Sequence, residues 1–536
     1  MGKLMLFDDK GRKKLLDGVT KLAAAVRITM GPRGRNVVLE KTYGSPIIVN
    51  DGVTIAREID LDDAYENLGA QLVKEVAGKT NDIAGDGTTT ATVLTHEIYS
   101  QGLKNISTGN SPIQIKRGMD KAVQAIVNEL KQMSKKVEKK HEIAQVASIS
   151  ANNDSEIGNM IADAFERVGR DGVVTVEESK TAETTVETTD GMQFDQGFMS
   201  PYMITNVEAL DVSYENVSIL ISSDRLDNID DILPLIRSIK QASSALLVIA
   251  DDMSNEVLTI LVQNKLQLGM KLVAVKAPGY GDYRKELMND IAVATGAKVI
   301  SAEAGNKLKG AKFDEVLGFA NKVIVEKLTT TIVGGAGTKE DIGVRSNTIK
   351  KQIENAASYE IEKLKERLSK LTGGIAVISV GASTETEMSE KKLRIDDALS
   401  ATRAAVAEGI VPGGGVALIR ARKVIKDLDL TPEERIGADI IHRSVAIPLW
   451  QIAHNSGFAG DVAVDKVESL DGSFGLNAAS GEYEDLIAAG VIDPTKVTRS
   501  ALQNASSIAG MMLTTDCLVV QNREKDKGKN KEEEDF

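Results

Sequence analysis

Both flanks of this chain are helical and alanine-rich, whereas the stretch from about Gly191 to Gly374 alternates short apolar runs with helical patterns. That change of period constrains the fold more than any other feature. Residues 217–221, 245–250, 271–275 and 297–300 read as strands, and 230–241, 255–268 and 284–295 as the helices between them. Alternation of this kind predicts a parallel sheet covered on both faces. In the first flank, 10–30, 65–80, 88–103 and 113–133 carry helical spacing. A two-strand unit, 36–40 and 46–49, turns at Tyr43, Gly44 and Ser45. Residues 347–371 and 385–408 read as long charged helices. The simplest architecture inserts an α/β domain into a helical one, through an intermediate piece crossed twice. The pairs Asp190-Gly191 and Gly373-Gly374 fall at the crossings. Glycine there either ends an element or absorbs a hinge rotation.

A chain of 536 residues exceeds the size at which single cores stop growing, so two or three domains are expected. Hydrophobic residues reach 42% but aromatics only 4%, so the cores must be aliphatic. The net charge of −13 argues against a general nucleic-acid binder, whose affinity rests on excess Lys and Arg. The single cysteine, Cys517, excludes an intrachain disulfide and reads as a small buried hydrophobe in a reducing compartment. Leu4 to Phe7 is too short an apolar run for a signal peptide, and Leu6 breaks a myristoylation motif. Without a long apolar stretch no membrane partner is expected. Residues 523–536 hold 11 charged residues in 14 and are expected to be a disordered tail.

The densest chemistry lies in Ala84-Gly85-Asp86-Gly87-Thr88-Thr89-Thr90-Ala91-Thr92. A glycine-flanked aspartate followed by hydroxyl residues opening a helix makes a phosphate site with a Mg²⁺ ligand. The same residues also suit plain N-capping, and the segment alone leaves both readings open. A second glycine loop spans Thr29 to Asn36, with Arg33 or Arg35 near it. A third is Pro412-Gly413-Gly414-Gly415. Gly78-Lys79-Thr80 is no P-loop, because its first glycine would fall at Val73. Gly335-Ala336-Gly337 is no dinucleotide fingerprint, because Glu340 stands where glycine is needed. His96, His141, His442 and His454 have no metal-ligand spacing. In the middle module, 255–268 and the preceding helix carry more apolar residues than one buried stripe needs. The segment 197–204 adds Phe198, Met199, Tyr202 and Met203. These surplus residues either pack a core or form an adaptable binding surface.

Six motifs together resemble the group I chaperonins, the bacterial GroEL or 60-kDa heat-shock family. They are Thr-Met-Gly-Pro-Arg-Gly-Arg-Asn-Val-Val at 29–38, Ala-Gly-Asp-Gly-Thr-Thr-Thr-Ala-Thr-Val-Leu at 84–94, Gly-Met-Gln-Phe-Asp at 191–195, Ala-Thr-Arg-Ala-Ala-Val at 401–406, Pro-Gly-Gly-Gly-Val-Ala-Leu at 412–418 and Asp-Pro-Thr-Lys-Val-Thr-Arg-Ser-Ala-Leu at 493–502. The resemblance covers roughly residues 8 to 520. It implies a multidomain α and α/β fold of GroEL-like chaperonin type. A discontinuous helical equatorial ATPase domain would occupy 1–134 and 408–522. A small intermediate hinge domain would occupy 135–189 and 376–407, an inserted α/β apical substrate-binding domain 190–375, and the charged tail 523–536.

It further implies an ATP-dependent chaperonin, an ATP hydrolase of the isomerase class active in protein folding and the stress response. Non-native polypeptides would be captured on an apolar apical surface and folded in a ring cavity. Thr29, Met30, Gly31, Pro32, Asn50, Asp86, Gly87, Thr88, Thr89 and Thr90 would hold phosphates. Gly414, Asn477, Ala478, Ala479 and Asp493 would hold the nucleoside. Asp86 would bind Mg²⁺, with K⁺ as a further candidate ion, and Asp51 and Asp397 would be catalytic. Phe198, Tyr202, Met203, Leu233, Ile236, Leu258, Val262 and Gln263 would form the polypeptide groove. The implied partners are a 10-kDa-type co-chaperonin lid and copies of the chain in two stacked seven-membered rings, in the cytoplasm. Several residues depart from the family pattern: Asn50 for Lys, Gln196 for Arg, a polar Gln263 in the groove, and Trp450, Phe458 and Ala459 for charged residues where rings would meet. The tail lacks Gly-Gly-Met repeats. These departures keep a non-hydrolysing scaffold as the competing reading. A small-molecule kinase is a third, for which no acceptor base is found.

Overall fold

The computed structural model describes residues 2–40, 46–137, 139–151, 154–169, 172–179, 181–206, 209–242, 244–301, 308, 313–356 and 358–521. The turn expected at Tyr43, Gly44 and Ser45 and the tail at 523–536 lie outside the described residues. The chain divides into two compact units, Met1–Ala162 with Leu393–Phe536, and Asp163–Lys392.

The first unit is helical. Asp8–Arg27, Ala64–Ala84, Thr88–Ile106, Pro112–Met133, Pro432–Ser444 and Thr495–Leu513 pack around one aliphatic core that includes Leu15, Leu22, Ile98, Ile126, Ile441 and Leu502. The one large aromatic in it, Tyr99, satisfies its hydroxyl by donating to the Arg12 carbonyl at 3.1 Å. The two chain ends meet: Lys3–Phe7 pairs antiparallel with Cys517–Gln521. The buried side chains of the second strand are Leu518 and Val520. Cys517 is half-exposed instead of buried as expected, because strand alternation turns it away from those neighbours. The expected two-strand unit forms as Val37–Leu39 against Ile47–Val49.

The second unit is α/β, and its main sheet is mixed, not parallel. The strand order is Gly191–Phe194, Thr330–Gly335, Gly318–Val325, Val212–Ser222, Ala245–Ala250, Leu272–Lys276. Only the last three strands run parallel to one another. The other pairings are antiparallel. Gly318–Val325 and Thr330–Gly335 are joined by four residues, and a connection that short can only make a hairpin. The strand expected at 297–300 reduces to an isolated bridge from Ile300 to Ser222. A smaller sheet sets Val173–Glu178 parallel and Thr185–Thr189 antiparallel to Ile375–Val380.

The long helix expected at 347–371 is instead two, Lys339–Asn355 and Ser358–Thr372, separated by an extended Ala356. The break lets each helix aim an arginine at the same carboxylates on Gly281–Thr295. Arg345 Nε reaches Asp290 Oδ1 at 2.6 Å and Arg367 Nε reaches Asp290 Oδ2 at 2.7 Å. Both Nη2 atoms also reach Glu286, at 2.8 and 3.0 Å. Among the described residues no helix is long and apolar enough to cross a membrane.

Candidate active site

The site is built in the helical unit from loops at element ends. Helix Thr88–Ile106 starts from Gly87, whose φ of 85° is left-handed, and no side chain caps it. Asp86 accepts only from the Gly87 amide beside it, so the N-terminus is not spent on capping by Asp86. The first-turn amides of Thr88, Thr89 and Thr90 are therefore the positive end of an uncapped helix, which suits phosphate. Asp51 caps the neighbouring helix Gly52–Glu58, accepting from Val53 N, Thr54 N and Thr54 Oγ1 at 3.2, 2.9 and 2.7 Å. Gly52 is what allows the two helix starts to touch, since a Cβ there would lie 2.3 Å from Thr89 Oγ1. Asn50 is exposed immediately before Asp51.

Four aspartates are linked electrostatically here: Asp86 with Asp51, Asp397 with both of them, and Asp493 with Asp86. Protein mass around Asp86 and the charge of Asp51 raise its pKa. Burial raises Asp397 well above the ordinary carboxylate value, with Asp86, Asp51 and Asp396 adding to the effect. Burial, then Asp86, pushes Asp493 up to about 7. Yet the side chains of Asp86 and Asp397 are exposed to solvent. Dense surroundings with solvent access are the marks of a cleft. Like charges gathered without a counter-ion favour protonation, and a cation there reverses that preference.

Among the described residues no three His, Cys, Asp or Glu side chains converge to hold a metal by themselves. One carboxylate plus phosphate oxygens and water is the ordinary environment of Mg²⁺, so Asp86 beside an uncapped helix fits that ion. The raised carboxylates make a prediction of definite sign. Between 3.8 and about 7 the folded chain keeps the Asp493 proton that the unfolded chain has lost. Stability without nucleotide therefore falls as pH rises through that interval. Asp493→Asn flattens the fall, which thermal unfolding measured across pH will show.

The remaining loops close around the cluster. The Thr29 loop is pinned by Asn455 Nδ2, which donates to Arg27 O and Met30 O at 2.9 Å each. Arg33 donates to Ser456 O at 3.3 Å and to Ala479 O at 3.1 Å, which brings Thr29, Gly31 and Pro32 beside the 477–479 turn. Met30 itself points into the core. Asn477 shapes that turn by accepting from Ala479 N at 3.1 Å and donating to Glu484 at 2.8 Å. Ala478 is buried beneath it. Strand Ile410–Pro412, which leads into Gly414, pairs with Ile492–Pro494, so Val411 sits opposite Asp493. All of the candidate nucleotide residues thus lie in one unit. Asn455 carried no sequence signal, since a polar residue ending a helix is ordinary.

Asp397 is delivered by the helix Glu385–Glu408. That helix rests on the Asp86 loop: a Cβ on Gly85, whose φ is 68°, would lie 2.4 Å from the Ser400 Cβ. Gly85→Ala should push the helix away and slow any hydrolysis carried out at this cluster at least about tenfold, because small displacements of reacting groups are costly. Ser400→Gly in the same chain should restore part of the rate in a phosphate-release assay.

The expected polypeptide groove lies in the α/β unit, and its members divide. Tyr202 is 71% exposed, and Gln263 is also open. Phe198, Leu233, Leu258 and Val262 are half-buried. Met203 and Ile236 are core residues; the Met203 sulfur accepts the Ala274 amide at 3.3 Å. As placed, those two support the groove from beneath and do not face solvent. Helix Asn255–Leu268 fully buries Val257 and Leu261 and packs Leu258 and Val262 partly against the same core, which leaves Leu266 and Leu268 outside it. Leu266, at 62%, and Leu268 are exposed; both belong to the surplus apolar residues of this helix, although the resemblance did not place them in the groove. Lys265 Nζ ties the segment to this helix through Tyr202 O and Ile204 O at 3.2 and 2.8 Å.

The model of the TCP-1/cpn60 chaperonin family matches residues 22–523. Among solved structures, the chain is similar to the chaperonin gp146 of bacteriophage EL 2 (Pseudomonas aeruginosa), crystallised in the presence of ATP-BeFx. Identity is 22%, with a TM-score of 0.72 over 97% of this chain and 100% of that one in crystal form II. In crystal form I the TM-score is 0.65, over 97% and 99%. The fold is therefore a GroEL-like chaperonin fold, multidomain α and α/β. The chain belongs to the TCP-1/cpn60 chaperonin family.

Proposed function

We propose that this chaperonin hydrolyses ATP and uses it to capture and fold non-native polypeptides within a homo-oligomeric ring. The observation that carries the reading is the cleft of Asp51, Asp86, Asp397 and Asp493 beside the uncapped start of Thr88–Ile106. Mg²⁺ held by Asp86 would supply charge neutralisation to the phosphates. The Thr88, Thr89 and Thr90 amides bind phosphate oxygens. The Thr29 loop, Gly414 and the Asn477–Ala479 turn hold the rest of the nucleotide. Asp397 takes the proton of the attacking water, and Asp51 orients that water. Because Asp397 stands on a helix that continues into residues of the α/β unit, its arrival at the cleft links hydrolysis to movement of that unit.

The exposed apolar face of Asn255–Leu268 with Tyr202 is the capture surface. It recognises the one property that unfolded chains share. Leu258→Ser should weaken binding of a denatured client about tenfold, from the lost apolar contact, in a competition titration.

Ring assembly is supported by apolar side chains on open strand edges: Val38 and Ile48 on the two-strand unit, and Met5 and Phe7 on the terminal ribbon. Exposed edges of this kind invite pairing with another copy. We place the protein in the cytoplasm, with a small lid protein closing seven-membered rings. We also retain the division into equatorial, intermediate and apical domains at the boundaries given above. Phosphate release at saturating Mg-ATP, combined with electron microscopy of the same sample, tests the reading. Turnover by ring-shaped particles is expected; monomers without turnover would overturn it.

A further inference from the structure

A hollow of about 200 Å³ lies in the helical unit, apart from the carboxylate cluster. Ala23, Val93, Ile447 and the Trp450 ring form its apolar wall. An apolar cavity of about 150 Å³ already admits benzene, so this one has room for a flat molecule of one or two rings. Trp450 is held in place from both sides. Its Nε1 donates to Asp461 Oδ1 at 3.1 Å, and its ring stacks on His454 with centroids 4.9 Å apart and planes 13° apart. With the Gly460 backbone also close against the ring, Trp450 is a fixed aromatic part of the wall, which suits edge or offset contact with a flat apolar ligand.

The polar lining selects further. Arg27 and Glu97 both line the hollow, so for a net charge of either sign attraction to one offsets repulsion from the other. A neutral ligand with a donor toward Glu97 and an acceptor toward Arg27 pairs with both. His96 is kept toward its neutral form by burial, against the charge of Glu97 and with that of Arg27. Glu97 Oε1 already accepts from Gln101 Nε2 at 2.7 Å, which leaves Oε2 and one nitrogen of the neutral imidazole as acceptors for an N–H donor on the ligand.

The walls of the hollow lead into the nucleotide loops. Gln451, buried in the lining, donates to Asn455 Oδ1 at 2.8 Å. Asn455 in turn donates to Arg27 O and Met30 O, in the loop that begins at Thr29. Val93 and His96 lie on the helix whose first turn is Thr88, Thr89 and Thr90. A molecule contacting Gln451 and Trp450 therefore bears on groups that set the phosphate loop.

We propose that this hollow is a regulatory site for a small, neutral heteroaromatic molecule carrying an N–H donor, coupled to nucleotide binding through Gln451, Asn455 and the Met30 carbonyl. The coupling rests on the nucleotide reading above; the binding site does not. Trp450 is the only tryptophan of the chain, so its fluorescence reports occupancy directly.

Benzimidazole titrated into the intact protein should give a saturable change with a Kd below about 1 mM. Glu97→Gln should raise that Kd about tenfold, by loss of a charged acceptor, while leaving ADP affinity without benzimidazole unchanged. Saturating ADP should shift the benzimidazole Kd at least about fivefold, and benzimidazole should shift the ADP Kd, measured by calorimetry, by the same factor. No saturable change, or the same Kd in Glu97→Gln, overturns the site. ADP that binds with an affinity indifferent to benzimidazole overturns the regulatory role. ADP that does not bind at all overturns the nucleotide reading and the regulation with it, while the Glu97→Gln comparison still decides the site.

Discussion

Asp397→Ala is expected to slow ATP hydrolysis by about 10²- to 10⁴-fold, the usual worth of a positioned general base, while leaving nucleotide affinity within about threefold. The carboxylates Asp51, Asp86 and Asp397 differ in what already occupies them. Asp51 is engaged by two amides and a hydroxyl at the start of Gly52–Glu58. Asp86 lies against the first turn of Thr88–Ile106, where phosphates and Mg²⁺ are expected. Asp397 comes from another element and has a proton affinity raised well above the ordinary carboxylate value, first through burial and then through the charges of Asp86, Asp51 and Asp396. A raised pKa makes a carboxylate a better proton acceptor, once ionised, than an ordinary aspartate. The same shift means that activity should be lost on the acid side at a pH well above 3.8, because protonation removes the base. Single-turnover phosphate release measures the rate, and equilibrium titration with a fluorescent nucleotide measures affinity. An unchanged rate would move the base role to Asp51.

Asp290→Ala is expected to destabilise the α/β unit by about 3–5 kcal/mol, the range for breaking a buried ion pair from one side. The carboxylate is 0% exposed and Arg367 is 3% exposed, so removing the acid leaves a buried guanidinium with Glu286 as its remaining acid partner. Arg345 loses its shortest contact as well. Three helices, Gly281–Thr295, Lys339–Asn355 and Ser358–Thr372, are joined by these side chains, so the loss falls on their packing. Replacing the triad together, Asp290→Leu with Arg345→Leu and Arg367→Met, should recover much of the loss, since apolar residues of similar volume carry no desolvation penalty. Urea unfolding monitored by circular dichroism checks both. A single Asp290→Ala change of less than about 1 kcal/mol would show that solvent reaches the cluster.

Where local pattern and tertiary environment agree, elements were legible to the residue. Asn255–Leu268, Ala245–Ala250 and Glu385–Glu408 form with the bounds their periodicity gives. A parallel strand buried on both faces is written as an unbroken apolar run, as in Ala245–Ala250. The antiparallel half of the same sheet was not legible. Gly318–Val325 and Gly191–Phe194 mix polar and small residues and take their pairing from partners distant in the chain. No local signal joins Lys3–Phe7 to Cys517–Gln521, because the pairing spans nearly the whole sequence. The helix break at Ala356 has neither Gly nor Pro to announce it; the demand comes from Asp290, which two arginines must reach.

The candidate site divides in the same way. Asp86 and its glycines stand out because free helix amides and an acid in one loop are distinctive. The contacts that assemble the cleft, Arg33 to Ala479 and Asn455 to Met30, join loops hundreds of residues apart. In the groove, composition alone did not separate exposed Tyr202 from buried Met203 on the same short 3₁₀ turn, Pro201–Met203.

In the proposed function, nucleotide chemistry in the helical unit governs how tightly the apolar face of the α/β unit grips unfolded chains. The most direct measurement is the dissociation of a labelled, denatured client from the intact protein, followed in real time before and after Mg-ATP is added. Stable retention without nucleotide and release accelerated about tenfold or more by ATP is the predicted result. A client that is never retained, or that leaves at one rate with and without ATP, would contradict it.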